Sequence, residues 1–266
     1  MRHMKTRKPL SCRAAVLARH FIAYESLSVR TSNVTRPRIS YFQLDCSSMK
    51  LYAKGAVGDP TRFGDCPFCM RVCMALTLKG VKFEMVYIDL SNKPQWFVEL
   101  SKRGGGKGTT PVLVDGDKVL VDSGDIVEYL ETTYPDKRSL RPVNPNANSA
   151  GADILAKFAA FVKNKDKEKD GNLRAELDAS LKEFDSYLRQ HGGPYIDGDC
   201  LTLPDCSILP RLSMVQIAGK HFKDYSIPAD LSALQTYMKA GLNDETFKKC
   251  TCLPQDIIDG WKKHLG

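Results

Sequence analysis

The sequence has little of what a membrane span, a zinc site or a nucleic-acid surface requires. It contains no uninterrupted apolar run of about 18 residues, so no transmembrane helix is predicted. Its Cys-x-x-Cys, Cys66 to Cys69, has no second such pair and no His pair at a ligand-like distance, which argues against bound metal. The net charge of +8 is concentrated in the first 47 residues, so the remainder offers no basic face for nucleic acid.

The basic character belongs to an N-terminal leader. Residues 1–47 hold seven Arg and two Lys against Glu25 and Asp45, a balance of +7 that leaves about +1 for residues 48–266. The leader also contains Ser and Thr and lacks the compact apolar block of a secretory signal, which is typical of an organelle transit peptide. We predict a disordered transit peptide over 1–47 and a mature start near Ser48 to Lys50; a basic tail that stays attached is the alternative.

Nine cysteines are an odd number, whereas a secreted disulfide framework uses an even set in a short chain. Most of these thiols are therefore expected to be reduced. We expect small, buried or half-buried side chains at Cys200, Cys206, Cys250 and Cys252.

Extended and helical patterns alternate between residues 50 and 135. The predicted elements are a strand over 50–54, a Gly/Pro loop over 55–65, a helix from Pro67 to a stop at Gly80, a strand over 83–90, a short helix over 93–100, a hairpin over 111–123 with Asp-Gly as its turn, and a helix over 123–135 capped by Ser123. This order predicts a small mixed sheet covered by helices.

The rest of the chain has a helical pattern. Residues 135–148 are rich in Pro and Asn and lack periodicity, as expected of a linker between domains. Long amphipathic stretches follow, and Thr202 with Asp205 resembles a capping box. The sequence therefore predicts an α/β domain over 48–134, this linker, and an all-α domain over 149–266.

Cys66 is the strongest candidate for a reactive group. It lies between a Gly-rich loop and a helix that begins at Pro67, where a thiolate would face free backbone N–H groups and the positive end of the helix dipole. Both effects lower the pKa of a thiol below its free value of about 8.5. Cys69 lies one turn further along, within disulfide reach, as a possible resolving thiol or a core residue, whereas Cys73 is expected to be packed.

Four blocks resemble the plant-type dehydroascorbate reductases of the glutathione S-transferase superfamily. They are "KGAVG...GDCPFCMRV", "LSNKPQWFVELS", "TTPVLV" and "VDSGDIVEYLE", and they occur in the family's order. The resemblance extends from about Lys50 to Trp261. It implies a thioredoxin-like N-terminal domain, an all-α C-terminal domain and usually a monomer. It also implies reduction of dehydroascorbate by two glutathiones in the chloroplast stroma or cytosol; with this leader, we favour the chloroplast, with the mitochondrion second.

The resemblance also assigns roles to residues near the nucleophile. It implies that Cys66 is the catalytic thiol, that Asp65 and Lys54 contact glutathione and substrate beside it, and that Trp261 lies near the ascorbate site. Glutathione would be a co-substrate, with no bound cofactor, metal, membrane or nucleic-acid partner.

Further residues are assigned to glutathione itself. Lys93 would bind a glutathione carboxylate, and Ser123 would hold the γ-glutamyl carboxylate at a helix N-terminus. Thr110 would pair through its backbone with the cysteinyl part, next to Pro111, whose peptide bond is typically cis in this superfamily.

Three features depart from the family pattern. Cys69 stands where the family often has Ser, the loop before Pro111 is longer than usual, and Met214 replaces a frequent substrate-contacting His. Two alternative functions therefore stay open: a glutaredoxin-like or omega-type thiol transferase, and a non-enzymatic chloride-intracellular-channel-like protein.

Overall fold

The structure is a computed structural model that describes residues 49–191 and 193–265. These residues belong to one compact unit, Ser47–Gly266. The predicted transit peptide and its boundary near Ser48 lie outside the described residues.

Among the described residues, the N-terminal part, residues 50–133, contains five strands and three helices. They are β1 (Lys50–Ala56), β2 (Asp59–Phe63), α1 (Pro67–Lys79), β3 (Glu84–Ile88), α2 (Gln95–Arg103), β4 (Val112–Asp115), β5 (Lys118–Leu120) and α3 (Ser123–Thr133). β1 is central: it pairs in parallel with β3 and antiparallel with β4, and β4 pairs antiparallel with β5. The sheet is therefore the mixed sheet that the sequence predicted.

The two faces of the sheet bury different side chains, as the period of 2 in a strand requires. Leu51 and Ala53 of β1 are fully buried in the core that includes α1. Tyr52, between them, packs on the opposite face against Phe97 of α2, with ring centroids 6.1 Å apart. Helices thus cover both faces.

Two local predictions for this part were wrong. Residues 55–65 are not a loop, because β2 folds back on the end of β1; its Pro60 is exposed, as a proline in an edge strand must be, and it masked the strand pattern. The two-residue turn of the later hairpin is Gly116–Asp117 instead of Asp-Gly, since Asp115 pairs with Lys118.

The caps of α1 agree with the prediction, but that of α3 does not. Gly80 ends α1 with φ +64°, a conformation that glycine adopts without strain. Asp122, not Ser123, caps α3: its Oδ1 accepts hydrogen bonds from the N–H groups of Gly124, at 2.7 Å, and Asp125, at 3.2 Å. The Asp carboxylate is also favoured there by the helix dipole.

The C-terminal part is all helical among the described residues. After a 3-10 turn at Pro145–Asn148 come α4 (Ile154–Lys163), α5 (Lys167–His191), α6 (Leu203–Lys223), α7 (Ser232–Leu242), α8 (Glu245–Cys250) and α9 (Pro254–Leu265). The capping box at the start of α6 is confirmed, with Asp205 Oδ2 accepting the Thr202 N–H at 2.7 Å. None of the described helices is both long and apolar enough to cross a membrane.

Helix α1 packs against both parts of the molecule, on the sheet and α3 and against α6 and α8. A buried ion pair holds its C-terminal end: Lys79 Nζ lies 2.9 Å from Glu131 Oε1 of α3 and 3.1 Å from the Arg138 carbonyl. Cys206 and Cys250 are buried and Cys200 and Cys252 half-buried, as the sequence predicted.

Candidate active site

Cys66 occupies the N-cap of α1, as the Cys-Pro pattern predicted. Its backbone is extended (φ −87°, ψ 108°), and Pro67 begins the helix. Its Sγ accepts a hydrogen bond from the Cys69 N–H at 3.4 Å. The residue is half-buried and lines a cavity that can admit small molecules.

The surroundings of Cys66 favour its ionised form. A hydrogen bond from the Cys69 thiol contributes most to lowering its pKa. The backbone N–H groups of Cys69 and Phe68 and the positive charge of Lys54 lower it further, and together they outweigh the effect of burial. The sulfur is therefore a better nucleophile at neutral pH than an ordinary cysteine.

Cys69 has the opposite character. It is fully buried, and burial, followed by its hydrogen bond to Cys66, raises its pKa well above the usual value. Both residues are free thiols. Of the two thiols, Cys69 is therefore the one that keeps its proton at neutral pH.

A partly buried ion pair lies beside Cys66. Lys54 Nζ is 2.6 Å from Asp65 Oδ1, although that oxygen lies outside the angles of a good hydrogen bond. Asp65 is 5% exposed and packs directly on Gly260 of α9, where a Cβ atom would overlap the carboxylate. Gly260 thus allows the carboxylate to lie between β1 and the last helix.

These groups open onto a cavity of about 370 Å³. Five of the residues that the sequence proposed line it: Lys54, Asp65, Cys66, Thr110 and Trp261. Met214 also lines it, at the position where the resemblance leads one to expect His. The cavity is large enough for a small organic substrate beside the sulfur.

Another part of the cavity wall comes from α4 and α9. Trp261 is 6% exposed and packs edge-to-face on Phe158, with centroids 4.9 Å apart. Lys163 lies 6.0 Å above the Trp261 ring, and His264 also faces the cavity. Burial, with the charges of Lys54 and Lys163, lowers the pKa of His264, which favours its neutral form.

Lys163 and His264 were missed by sequence reasoning. Neither belongs to a motif. Each lies in the last turn of an amphipathic helix, where charged and polar residues are common. Only the tertiary packing that places the ends of α4 and α9 at the cavity brings them near the thiol.

Thr110 precedes a cis peptide bond to Pro111, as the resemblance predicted. Its Oγ1 is buried. The Thr110 side chain lowers the pKa of the Cys69 thiol, but burial raises that pKa by more. Thr110 therefore both lines the cavity and influences the buried thiol of the Cys66–Cys69 pair.

Lys93 and Ser123 do not line the cavity. Lys93 is exposed, with its aliphatic stem beside the Gly108 backbone. Ser123 is 5% exposed at the start of α3, with its Oγ 3.4 Å from Arg71 Nη1. A ligand that touched both these residues and Cys66 would have to extend beyond the cavity.

The described residues contain no group of three or more His, Cys, Asp or Glu placed to hold a metal ion. The arrangement that they do contain is a nucleophilic thiol, a thiol donor and an adjacent ion pair. Such a set can perform thiol–disulfide or thiol-redox chemistry.

Comparison with known proteins identifies both parts of the chain. Residues 61–138 match the family model for the glutathione S-transferase N-terminal domain, and residues 152–249 match that for the C-terminal domain. The crystal structure of Chlamydomonas reinhardtii dehydroascorbate reductase is 34% identical with a TM-score of 0.73, covering 82% of this chain and 99% of that one.

Curated relatives include plant glutathione S-transferases and chloride intracellular channel proteins. A probable chloroplastic glutathione S-transferase of Oryza sativa subsp. japonica, DHAR2, is 33% identical over 88% of this chain and 83% of its own length; the probable cytosolic DHAR1 of the same plant is 37% identical over 80% and 96%. Chloride intracellular channel protein 3 of Homo sapiens is 34% identical over 76% and 90%. The chain therefore has a thioredoxin-like domain joined to an all-α domain, and it belongs to the glutathione S-transferase family.

Proposed function

We propose that this protein reduces dehydroascorbate to ascorbate with two molecules of glutathione. The observation that carries the proposal is the half-buried Cys66 with a lowered pKa, on a cavity shared with Lys54, Asp65 and Trp261. The names of its relatives, which include a dehydroascorbate reductase of known structure, support the same activity. No metal or nicotinamide enters the scheme.

The reaction has three steps. The Cys66 thiol and a water molecule reduce dehydroascorbate, so that ascorbate leaves and the sulfur becomes a sulfenic acid. One glutathione then forms a mixed disulfide with Cys66 and releases water. A second glutathione attacks that disulfide, which releases glutathione disulfide and returns the thiol.

Charge in the site suits the first step. Lys54 stabilises the attacking thiolate and can also donate to a substrate oxygen, while Asp65 holds the lysine in place at 2.6 Å. The Trp261 ring gives the flat substrate an apolar wall, since it packs on Phe158 and lines the cavity.

Glutathione would extend from Cys66 towards the residues outside the cavity. We propose that the Thr110 backbone pairs with its cysteinyl part and that Ser123, at the N-terminus of α3, receives the γ-glutamyl carboxylate. Lys93 would bind the other carboxylate from the exposed side.

Cys66→Ser tests the proposal against Cys69→Ser as a matched control. Cys66→Ser should lose glutathione-dependent ascorbate production by at least about 1000-fold, because it removes the nucleophile. Cys69→Ser should keep most of it, because one glutathione replaces the resolving thiol. Ascorbate is followed directly by its ultraviolet absorbance; activity retained in Cys66→Ser would refute the assignment.

Thiol transfer is the second candidate, because a second free thiol, Cys69, lies one turn from Cys66 and its N–H donates to the Cys66 sulfur at 3.4 Å. In that case Cys69 would resolve a mixed disulfide formed with a protein. Rates on dehydroascorbate and on a glutathionylated peptide, measured for the wild type and Cys69→Ser, separate the two. Loss of peptide reduction alone in that variant would assign a thiol-transferase role to the pair.

We further propose that the protein works as a monomer in the chloroplast stroma. The Arg-rich leader and the chloroplastic relative support the compartment, whereas a cytosolic relative shows that the family is not confined to it. Imaging of a fluorescent fusion to residues 1–47 tests the compartment, with mitochondrial signal as the contrary result. Light scattering of the purified chain tests the oligomeric state.

A further inference from the structure

A second pair of thiols lies two turns along α1 from Cys66. Cys73 of α1 and Cys250 at the end of α8 have their Sγ atoms 2.9 Å apart. They are 4% and 1% exposed, both are free thiols, and neither lines the cavity. The proposed reaction therefore leaves this pair without a role.

The contact is held in place by a neighbouring side chain. Thr77 Oγ1 donates to the Cys73 carbonyl at 2.8 Å and lies 3.4 Å from Cys250 Sγ. The hydrogen bond from Cys73 lowers the pKa of Cys250, while the same bond and burial raise that of Cys73. One sulfur of the pair is thus the better nucleophile and the other its proton donor.

We propose that Cys73 and Cys250 form a reversible disulfide by exchange with a low-molecular-weight disulfide such as glutathione disulfide. The Cys250 thiolate attacks one sulfur of glutathione disulfide, forms a mixed disulfide and releases one glutathione. Cys73 then attacks the Cys250 sulfur, its proton leaves with the second glutathione, and the intramolecular bond is complete. Two protein thiols are oxidised and one glutathione disulfide is reduced to two glutathiones.

Little movement is needed for the second step. A disulfide has its sulfurs about 2.0 Å apart, so the two Sγ atoms must approach each other by about 0.9 Å. The first step needs access to Cys250, which local opening of α8 can provide: that helix has six residues, and Lys248 and Lys249 beside the cysteine are exposed.

The disulfide would join α1, which carries Cys66, to the C-terminal helices. It would close a loop from residue 73 to residue 250 and so constrain the unfolded chain. Its formation follows the glutathione redox ratio and does not depend on the proposed activity.

The test is peptide mapping of the full chain equilibrated in glutathione buffers of increasing oxidised fraction. After acid quenching, alkylation of free thiols and digestion with trypsin, the expected product is residues 72–79 joined to residues 250–262. Cys66 and Cys69 lie together in a separate peptide, 63–71, and do not interfere. The oxidised chain should also unfold about 5–10 °C higher than the reduced one.

Variants identify the sulfurs, since residues 250–262 also contain Cys252. The linked peptides should disappear in Cys73→Ala and Cys250→Ala but persist in Cys252→Ser. They should also persist in Cys66→Ser, which separates this proposal from the proposed activity. Two results would overturn the proposal. One is that, in the most oxidising buffer, the wild-type peptides 72–79 and 250–262 are found only alkylated or singly glutathionylated. The other is a link through Cys252.

Discussion

The two ends of helix α1 each hold a lysine–carboxylate pair, and the pairs differ in how completely their hydrogen bonds are made. At the C-terminal end, Lys79 and Glu131 are almost fully buried, and Glu131 Oε1 also accepts the Leu140 N–H at 3.1 Å. At the N-terminal end, Lys54 is 18% exposed by its side chain, and Asp65 Oδ1 lacks a well-directed hydrogen bond. The first pair links α1 to α3 inside the fold, whereas the second faces a cavity.

One helix thus serves both the stability of the fold and the chemistry of the site. A buried pair with all its hydrogen bonds made is costly to break, and removing one partner leaves an uncompensated charge. A pair in which one carboxylate oxygen lacks a well-directed hydrogen bond, beside a thiolate, can instead respond to a ligand. The variants below should affect these two properties separately.

Lys79→Met should produce the largest effect, on stability. It leaves the Glu131 carboxylate buried without its cation, which costs about 3–5 kcal/mol of the free energy of unfolding. Urea titration measures the loss. The double variant Lys79→Met, Glu131→Gln should recover part of it, and the pKa of Cys66 should stay unchanged in both, because the pair lies at the far end of α1.

Gly260→Ala should have an intermediate effect, at the other end. The added methyl overlaps the Asp65 carboxylate and must displace it, which costs about 1–3 kcal/mol. Gly171→Ala is the matched control: this helical glycine is exposed, with open space around its Cβ position, so alanine should stabilise by up to about 1 kcal/mol. Equal responses of the two variants in urea titration would show that the contact with Asp65 is unimportant.

Cys69→Ala and Lys54→Met are measured on the acidity of Cys66, where the expected effect is the smallest of the three. The Cys69 hydrogen bond contributes most to its lowered pKa and the Lys54 charge less, so both variants raise that pKa, the first by more. The alkylation rate of Cys66 should therefore fall at low pH and reach the wild-type plateau at high pH. A larger rise in Lys54→Met than in Cys69→Ala would reverse this ranking.

Much of the fold could be predicted because its signals are local. Pro67 and Gly80 mark the bounds of α1, and alternation marks β3 and the hairpin of β4 and β5. The strand β2 was missed because Pro60 interrupts a five-residue segment. The cap of α3 was misassigned because Asp122 and Ser123 are both good capping residues and the pattern does not separate them.

The site was predictable where one motif or a family resemblance supplies the residue. Cys66 follows from its position before a helix, and the cavity residues Lys54, Asp65, Thr110 and Trp261 from the resemblance. The contribution of α4 and α9, and the contact of Cys73 with Cys250 across 177 positions, depend on tertiary packing alone. No local pattern carries that information.

The central claim is that Cys66 is an accessible thiol that ionises more readily than a free cysteine. The direct test is the pH dependence of its alkylation by iodoacetamide in the folded chain, quantified on residues 63–71 by mass spectrometry, with free glutathione in the same tube as the reference. We predict that the rate for Cys66 reaches half its plateau at a pH below the free-thiol value of about 8.5. A midpoint at or above that value, or a Cys66 that stays unalkylated while glutathione reacts, would contradict the account.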